Sequence, residues 1–521
     1  MSIPKIIGLE QEYAMQFKGG SNLSAFEVSC LLINTYARKI GLRKPGQGLL
    51  WDYAHETPYQ DIRGTLFRKS AFQQIVGEED NRRINAPLPN GARLYTDHGH
   101  PEYSTPECLS ARQALACDKA GEVILAQALE AMKAVYPELR LRLFKNNSDH
   151  QGHSYGCHEN YLMDATDHQA WLVENPHWAA RVLIPFLVTR QVMAGAGKVG
   201  SEESARPGVL YQVSQRADFM ENLFGLETMY ARPIINTRAE HHADAGRFRR
   251  LHLIMGDANL CETAAFLKLG TTQIVLKMME DHFIREDLTL QNPLKAIRQV
   301  STAFDHPLEM SQGPRMTALQ IQRRLLERAE AYQYSDAAAQ LPDYGLIVER
   351  WAKVLDGLEG LKLSTDLDIE DDPGDLIRKL DWVLKLWLLN RYRHSRNCGW
   401  DHPWLRVLDL HYHGLDDGEG LFYHLQADGM TDRLIADEEI RPFVYEAPED
   451  TRAWFRSRCI QKFAAEILWL NWEVVGFNHG NVHRMIPLLN PLQGTRDQFE
   501  SLFTEARNSV ELISRLESTG I

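Results

Sequence analysis

Asn90-Gly91-Ala92-Arg93-Leu94-Tyr95-Thr96-Asp97-His98-Gly99-His100-Pro101-Glu102-Tyr103 decides how this chain is read. Residues 92–98 are expected to form a strand, in which successive side chains point to opposite faces. Arg93, Tyr95 and Asp97 then share one face, and Leu94 and Thr96 the other. A polar strand face inside a large protein has to be hydrogen-bonded, metal-bound or wet. The stretch therefore predicts a site, and calls for partners elsewhere in the sequence.

The first partner is Ile6-Ile7-Gly8-Leu9-Glu10-Gln11-Glu12-Tyr13. On a strand, Glu10 and Glu12 project from one face roughly 7 Å apart, given a rise of ~3.3 Å per residue. Two carboxylates that close raise each other's pKa unless a cation lies between them. Mg²⁺, which takes hard oxygen ligands and travels with phosphate, is the expected ion. Standing alone, Glu-x-Glu is common and reads better as a solvated acidic edge; the segments below reverse that.

The 521 residues predict one large domain and a smaller one. Apolar content of 44% and charged content of 24% are those of an ordinary globular protein. A net charge of −13 argues against a nucleic-acid partner, which needs a basic face. The seven cysteines, at 30, 108, 117, 157, 261, 398 and 459, include no Cys-x-x-Cys pair and read as reduced thiols. With neither a signal-peptide pattern nor an apolar run of spanning length, no membrane role is expected and a cytoplasmic location is.

Elsewhere, a helix is expected over 24–40, with Ser24 and Glu27 forming a capping box. An amphipathic helix is expected over 110–134, strands over 3–13, 140–145, 154–163, 233–236 and 250–256, and helices over 178–194, 262–283 and 316–335. Residues 343–394 read as largely helical, broken by an acidic loop from Asp366 to Asp375. Residues 44–89 are polar and weakly periodic, and are expected to form a mobile loop or lid beside the site. Residues 437–452, with Pro442 and Pro448, read as a linker.

Two further constellations carry chemistry. In Ser154-Tyr155-Gly156-Cys157-His158-Glu159-Asn160-Tyr161, His158 and Asn160 share a strand face with Glu159 opposite; a half-buried strand with one satisfied histidine is the plain alternative. Asn236-Thr237-Arg238, His241-His242-Ala243-Asp244 and Arg249-Arg250-Leu251-His252 gather arginines near histidines and acids, a composition suited to phosphate because the guanidinium fork matches its oxygens. Gly195-Ala196-Gly197-Lys198-Val199 mimics a phosphate loop, but Val192 stands where the first Gly belongs and Val199 where Ser or Thr belongs. Together the acidic strands, the His/Asn strand and the arginine cluster describe a site for ATP and Mg²⁺ acting on a carboxyl derivative.

These runs resemble the depupylase/Pup-ligase family (Dop and PafA), relatives of glutamine synthetase and the carboxylate-amine ligases. The resemblance extends through Gly8 to Tyr13, Asn90 to Cys108, Lys145-Asn146-Asn147, Ser154 to Met163, Ile234 to Asp244, Arg249 to Glu262, Leu380-Asp381-Trp382 and Thr451-Arg452-Ala453. Trp51-Asp52-Tyr53, Asp61-Ile62-Arg63-Gly64, Asp97-His98-Gly99-His100 and the C-terminal Arg484 to Leu488 and Val510-Glu511-Leu512 look like the depupylase branch. Gly195 to Lys198 and Gly156-Cys157-His158 look like the ligase branch, and Ala239-Glu240-His241-His242 departs from the family's Asp-Glu-Pro-His while keeping its histidine.

The resemblance implies an α+β fold: a glutamine synthetase-like catalytic domain over 1–435, with a curved, mainly antiparallel sheet covered by helices, and a small C-terminal domain over 436–521. It implies Asp97 as the catalytic carboxylate and Glu10, Glu12, Tyr95, Glu102 and His242 as metal-site residues. Arg249, Arg250, Arg452 and Trp472 would meet the nucleotide (ATP, or ADP plus phosphate), and Arg238, His158 and Asn160 the substrate. The implied activity is hydrolysis of the isopeptide bond between the small modifier Pup and a lysine, and deamidation of a C-terminal Gln of Pup. Pup, pupylated proteins and a bacterial proteasome are the implied partners. A Pup ligase working through an acyl-phosphate, a non-catalytic Pup-binding paralogue and a small-molecule carboxylate-amine ligase are the alternatives. Intact Glu10, Glu12, Asp97 and Glu102 argue against the paralogue, and the lid segment against the small-molecule ligase.

Overall fold

The computed structural model describes residues 2–20, 22–42, 48–53, 56, 60–64, 77–202, 208–369, 373–416, 420–479 and 482–519. Its strands in chain order are β1 (Ile7–Glu12), β2 (Ala14–Lys18), β3 (Leu50–Trp51), β4 (Asn85–Pro87), β5 (Arg93–Asp97), β6 (His100–Ser104), β7 (Arg140–Phe144) and β8 (Cys157–Asp164). They continue with β9 (Lys198–Val199), β10 (Tyr211–Gln212), β11 (Asn222–Gly225), β12 (Pro233–Asn236), β13 (Phe248–Leu253), β14 (Ile467–Leu470), β15 (Val474–His479) and β16 (Val482–Pro487).

An eight-stranded sheet, in the order β11-β12-β13-β8-β1-β6-β5-β4, forms the centre. Every pairing in it is antiparallel except β11 with β12, as expected of a mainly antiparallel sheet. One face is apolar: Ile7, Leu9, Leu94, Tyr103 and Tyr161 are buried. Helices Ala25–Lys39, Ala111–Val135 and Glu262–Glu280 cover it. The Ser24/Glu27 capping box holds the start of the first of these helices. Gly121 lets the second approach the sheet, since a Cβ there would lie 2.5 Å from the Tyr103 ring. The opposite face carries the acids, histidines and arginines.

Two departures from expectation concern local structure. The stretch after Asp97 continues as a second strand, β6, joined to β5 by a His98-Gly99 turn with φ of 45° and 95°. Both values are positive, the geometry of a two-residue hairpin turn that matches strand twist. The 44–89 segment was expected to lack regular structure, yet its described residues carry β3, helix Glu78–Ile84 and β4. Tertiary hydrogen bonds order them: Trp51 N donates to Asn81 Oδ1 at 2.9 Å and Asp52 N to Leu470 O at 2.9 Å. Residues 44–47, 54–55, 57–59 and 65–76 of that expectation lie outside the described residues.

A smaller sheet, β16-β15-β14-β3, packs with helices Arg452–Phe463 and Arg496–Glu505 around Phe455, Phe463, Phe477, Phe499 and Phe503, a cluster separate from the main core. The Gly-Lys decoy is settled by charge: Lys198 is buried and pairs with Glu202 and Asp218, 3.0 Å from each. All seven cysteines are free. No helix among the described residues is long and apolar enough to cross a membrane.

Candidate active site

Register places the polar face. Glu10 pairs with His158 and Glu12 with Glu102 across β8 and β6, and His252 of β13 lies opposite Asn160 of β8. Tyr95 faces Glu102 across the hairpin. The period of two does the rest: Glu10, Glu12, Arg93, Tyr95, Asp97, Glu102, His158, Arg238, His242, Arg250, His252 and Trp472 line one cavity of about 680 Å³. A smaller recess adjoins it, walled by Leu9, Leu162, His241, His242, Asn160, Arg250, Arg452 and Trp472.

Two trios converge within the cavity. The carboxylate oxygens of Glu12, Asp97 and Glu102 lie within 4.8 Å of one another, and so do the ligand atoms of Glu10, His158 and His252. Among the described residues, no Lys or Arg forms an ion pair with Glu12, Asp97 or Glu102. Burial, reinforced by the charges of Asp97, Glu12 and Glu10, pushes the Glu102 carboxyl well above the usual carboxylate range. Three hard-oxygen donors this close, with no Lys or Arg paired to them and Glu102 avoiding the repulsion by keeping its proton, fit a divalent cation such as Mg²⁺. The Tyr95 hydroxyl, which burial keeps protonated, donates to Glu102 Oε1 at 2.5 Å.

Glu10 is held differently. Burial would raise its carboxyl, but a hydrogen bond from His158 and the Arg250 charge bring it well below the usual range. His158 Nδ1 lies 3.2 Å from Glu10 Oε2, and Asn160 Nδ2 donates to Glu10 Oε1 at 3.0 Å. Arg250 donates to Asn160 Oδ1 at 3.0 Å and to the backbone oxygen of Glu240 at 2.7 Å. Burial and the neighbouring Arg250 keep His252 neutral, so its imidazole is available as a ligand.

Asp97 sits at the hairpin tip. Burial would raise its carboxyl, but the 2.7 Å contact with His98 Nδ1 and the charges of His98, Arg238 and His158 hold it below the ordinary value. It is an anion at neutral pH, the form that attacks a carbonyl or takes a proton.

Most of the expected residues meet. Asp97, Glu10, Glu12, Tyr95, Glu102, His158 and Arg238 share the cavity. Arg452 is confined to the recess, where its Nε donates to Glu107 Oε1 at 2.7 Å. Trp472 and His242 line both spaces, but His242 belongs to neither trio. Asn160 and His158 are bonded to Glu10 and sit on its side of the floor. Arg249 is the exception. It follows Phe248 and precedes Arg250 on one strand, so alternation turns it to the other face, and it lines neither cavity. Sequence reasoning gave His252 no role, although its spacing of two from Arg250 was the available signal. Arg232, also in the cavity wall, was not singled out, and His100, quoted in the Asp97-His98-Gly99-His100 motif, was given no role of its own.

The profile of the Pup-ligase protein family matches residues 5–476. A depupylase of Acidothermus cellulolyticus is 41% identical over 519 residues, spanning 98% of this chain and 99% of its own. A Pup deamidase/depupylase of Mycolicibacterium smegmatis is 38% identical with the same coverage. A Pup–protein ligase of Acidimicrobium ferrooxidans is 40% identical over 442 residues, which is 83% of this chain and 92% of its own. Among solved structures, the ligase PafA in complex with the prokaryotic ubiquitin-like protein Pup matches with a TM-score of 0.76 at 31% identity, covering 99% of this chain and 94% of that one. PafA in complex with ADP matches at 0.70 and 32%, covering 84% and 99%.

Proposed function

The chain belongs to the Pup-ligase protein family, and we propose that it is a depupylase and Pup deamidase. One observation carries the choice of branch. A depupylase is 41% identical along 98% of the chain, whereas the ligase PafA, matched along 99% of it, is 31% identical. The reaction is hydrolysis: water and the carboxamide of a C-terminal Gln give a carboxylate and ammonia, or water and the isopeptide give a free Pup carboxylate and the lysine amine.

In this reading Asp97 attacks the amide carbonyl or deprotonates the water that does, and Arg238 and His98 keep it ionised. Glu12 and Glu102, steadied by Tyr95, would hold Mg²⁺, and Glu10 with His158 and His252 would offer a second set of ligands; His242 stands beside them. Bound Mg²⁺ would supply positive charge for the developing oxyanion and for phosphate oxygens. Arg250, Arg452 and Trp472 serve the nucleotide, ATP or ADP with phosphate. Arg249 is left out of this assignment. We place the activity in the cytoplasm and link it to a bacterial proteasome, whose substrates it would spare by removing Pup.

The test is incubation with ATP, Mg²⁺ and Gln-ended Pup, followed by mass spectrometry of the Pup C-terminus. Conversion of the amide to the acid, and release of Pup from a conjugate, are expected. Reaction of Glu-ended Pup alone, with ADP rising in step with new conjugates, would establish a ligase instead.

A further inference from the structure

Arg93 is buried beside the carboxylate trio, yet its guanidinium makes no ion pair with any member of it. Its Cζ lies over two rings, 3.9 Å from the Tyr95 centroid and 4.1 Å from that of Trp51. Its edges donate to Asn85 Oδ1 at 2.6 Å and to the Tyr53 hydroxyl at 2.9 Å. A guanidinium between two aromatic faces is held by both dispersion and ring quadrupole.

Trp51 comes from the segment that sequence reading took for a lid, and it is fixed on every side. β3 adds to β14 in parallel, pairing Trp51 with Leu470. Asn81 accepts from Trp51 N and donates to its carbonyl, at 2.9 and 2.6 Å, and the indole Nε1 donates to Glu56 Oε1 at 2.8 Å. Its ring meets Trp472 edge-on at 5.1 Å, and Arg456 lies over Trp472 at 4.9 Å. A continuous column, Tyr95-Arg93-Trp51-Trp472-Arg456, thus runs from the carboxylate trio to the wall between the two cavities.

We propose that Trp51 is a positioning residue: by clamping Arg93 against the Tyr95 ring it keeps the Tyr95 hydroxyl on Glu102, and so shapes the cation site without touching it. The inference rests on reading Glu12 and Glu102 as cation ligands, with Asp97 beside them. It turns the Trp51 end of the segment from a cover over the site into a part of its frame. The sandwich needs a ring, so Phe can replace Trp51, while Leu and Ala cannot.

The test is thermal unfolding of wild type, Trp51→Phe, Trp51→Leu, Trp51→Ala, Tyr95→Phe and the Trp51→Leu/Tyr95→Phe pair, with ADP present and Mg²⁺ titrated from an EDTA baseline. The half-saturating Mg²⁺ concentration should rise about tenfold in Trp51→Leu and stay within threefold of wild type in Trp51→Phe. Because Trp51 acts through Tyr95, the double variant should be no more than about twofold worse than the poorer single variant. Losses that multiply, or Leu behaving like Phe, would overturn the proposal. Should Trp51→Ala fail to fold, the Phe and Leu variants decide the matter. A wild type whose unfolding ignores Mg²⁺ would overturn the cation reading and this inference with it. A wild type that responds to Mg²⁺ but does not deamidate Pup would overturn the activity alone.

Discussion

Replacing Glu102 with Gln should stabilise the metal-free protein while removing its response to Mg²⁺. The three carboxylates of the Glu12, Asp97 and Glu102 trio lie within 4.8 Å of one another. At that distance a pair of full charges repels by ~3.5 kcal/mol at an effective dielectric near 20. Glu102 escapes most of this by keeping its proton, since burial and the charges of Asp97, Glu12 and Glu10 hold its carboxyl well above the ordinary range. The neutral glutamine should therefore recover a fraction of the repulsion, about 1–2 kcal/mol at neutral pH. The sign follows from proton binding. Folded wild type retains a proton that the unfolded chain releases, so its stability falls as pH climbs from the unfolded value of Glu102 through the folded one. The glutamine suffers no such loss, and its advantage widens with pH. Mg²⁺ reverses the order. Wild type should gain ~2.7 kcal/mol at one hundred times the dissociation constant, with an affinity that rises with pH because Glu102 must give up its proton. Scanning fluorimetry in EDTA and in Mg²⁺, at pH values on either side of neutrality, reads both effects. A Glu102→Gln variant that melts below wild type in EDTA, or keeps the wild-type Mg²⁺ response, would refute the electrostatic account.

Asp97→Asn should reduce Pup deamidation by a thousandfold or more while leaving ADP affinity by calorimetry within a few-fold, because Asp97 does not line the recess that holds Arg452 and Trp472. His98→Ala removes the 2.7 Å contact that helps to hold Asp97 ionised, so the acid limb of the pH–activity profile should move to higher pH; an unmoved limb would deny His98 that role. Glu159→Ala leaves Arg190 buried without its carboxylate, 2.7 Å away in the wild type, and should cost about 3–5 kcal/mol in urea unfolding. Gly121→Ala drives a methyl into the Tyr103 ring and should cost about 1–3 kcal/mol, read as a lowered melting temperature.

Side-chain alternation carried most of the site. Glu10 and Glu12, His158 and Asn160, and Tyr95 and Asp97 each fall on one strand face at a spacing of two, and all six line the cavity or its adjoining recess. The same rule, applied to Arg249 and Arg250, would have separated them; reading them as a pair of phosphate ligands set the strand period aside. β6 escaped notice because Pro101 and His100 carry little strand signal, and the hairpin is made by left-handed φ values at His98 and Gly99 that composition does not advertise. β3 escaped because two residues have no period; their order comes from Asn81 and Leu470, remote in sequence. The grouping of donors into two trios depended on strand order, with β1 between β6 and β8, which no local pattern encodes.

The place of β1 also bears on how the protein is made. Glu10 and Glu12 leave the ribosome first, but their neighbours in β6, β8 and β13 follow roughly a hundred to two hundred and forty residues later, and Arg452 and Trp472 later still. At about 5–20 residues per second, the opening strand waits on the order of half a minute or more for its last partners. Such long-range pairing is slow to nucleate and leaves hydrophobic strands unpaired in the interim. It also means that a nascent or prematurely ended chain carries the acids without the constellation around them. On the proposed assignment, a chain broken before Arg452 and Trp472 would lack two walls of the nucleotide recess and should be inert rather than an unregulated amidase.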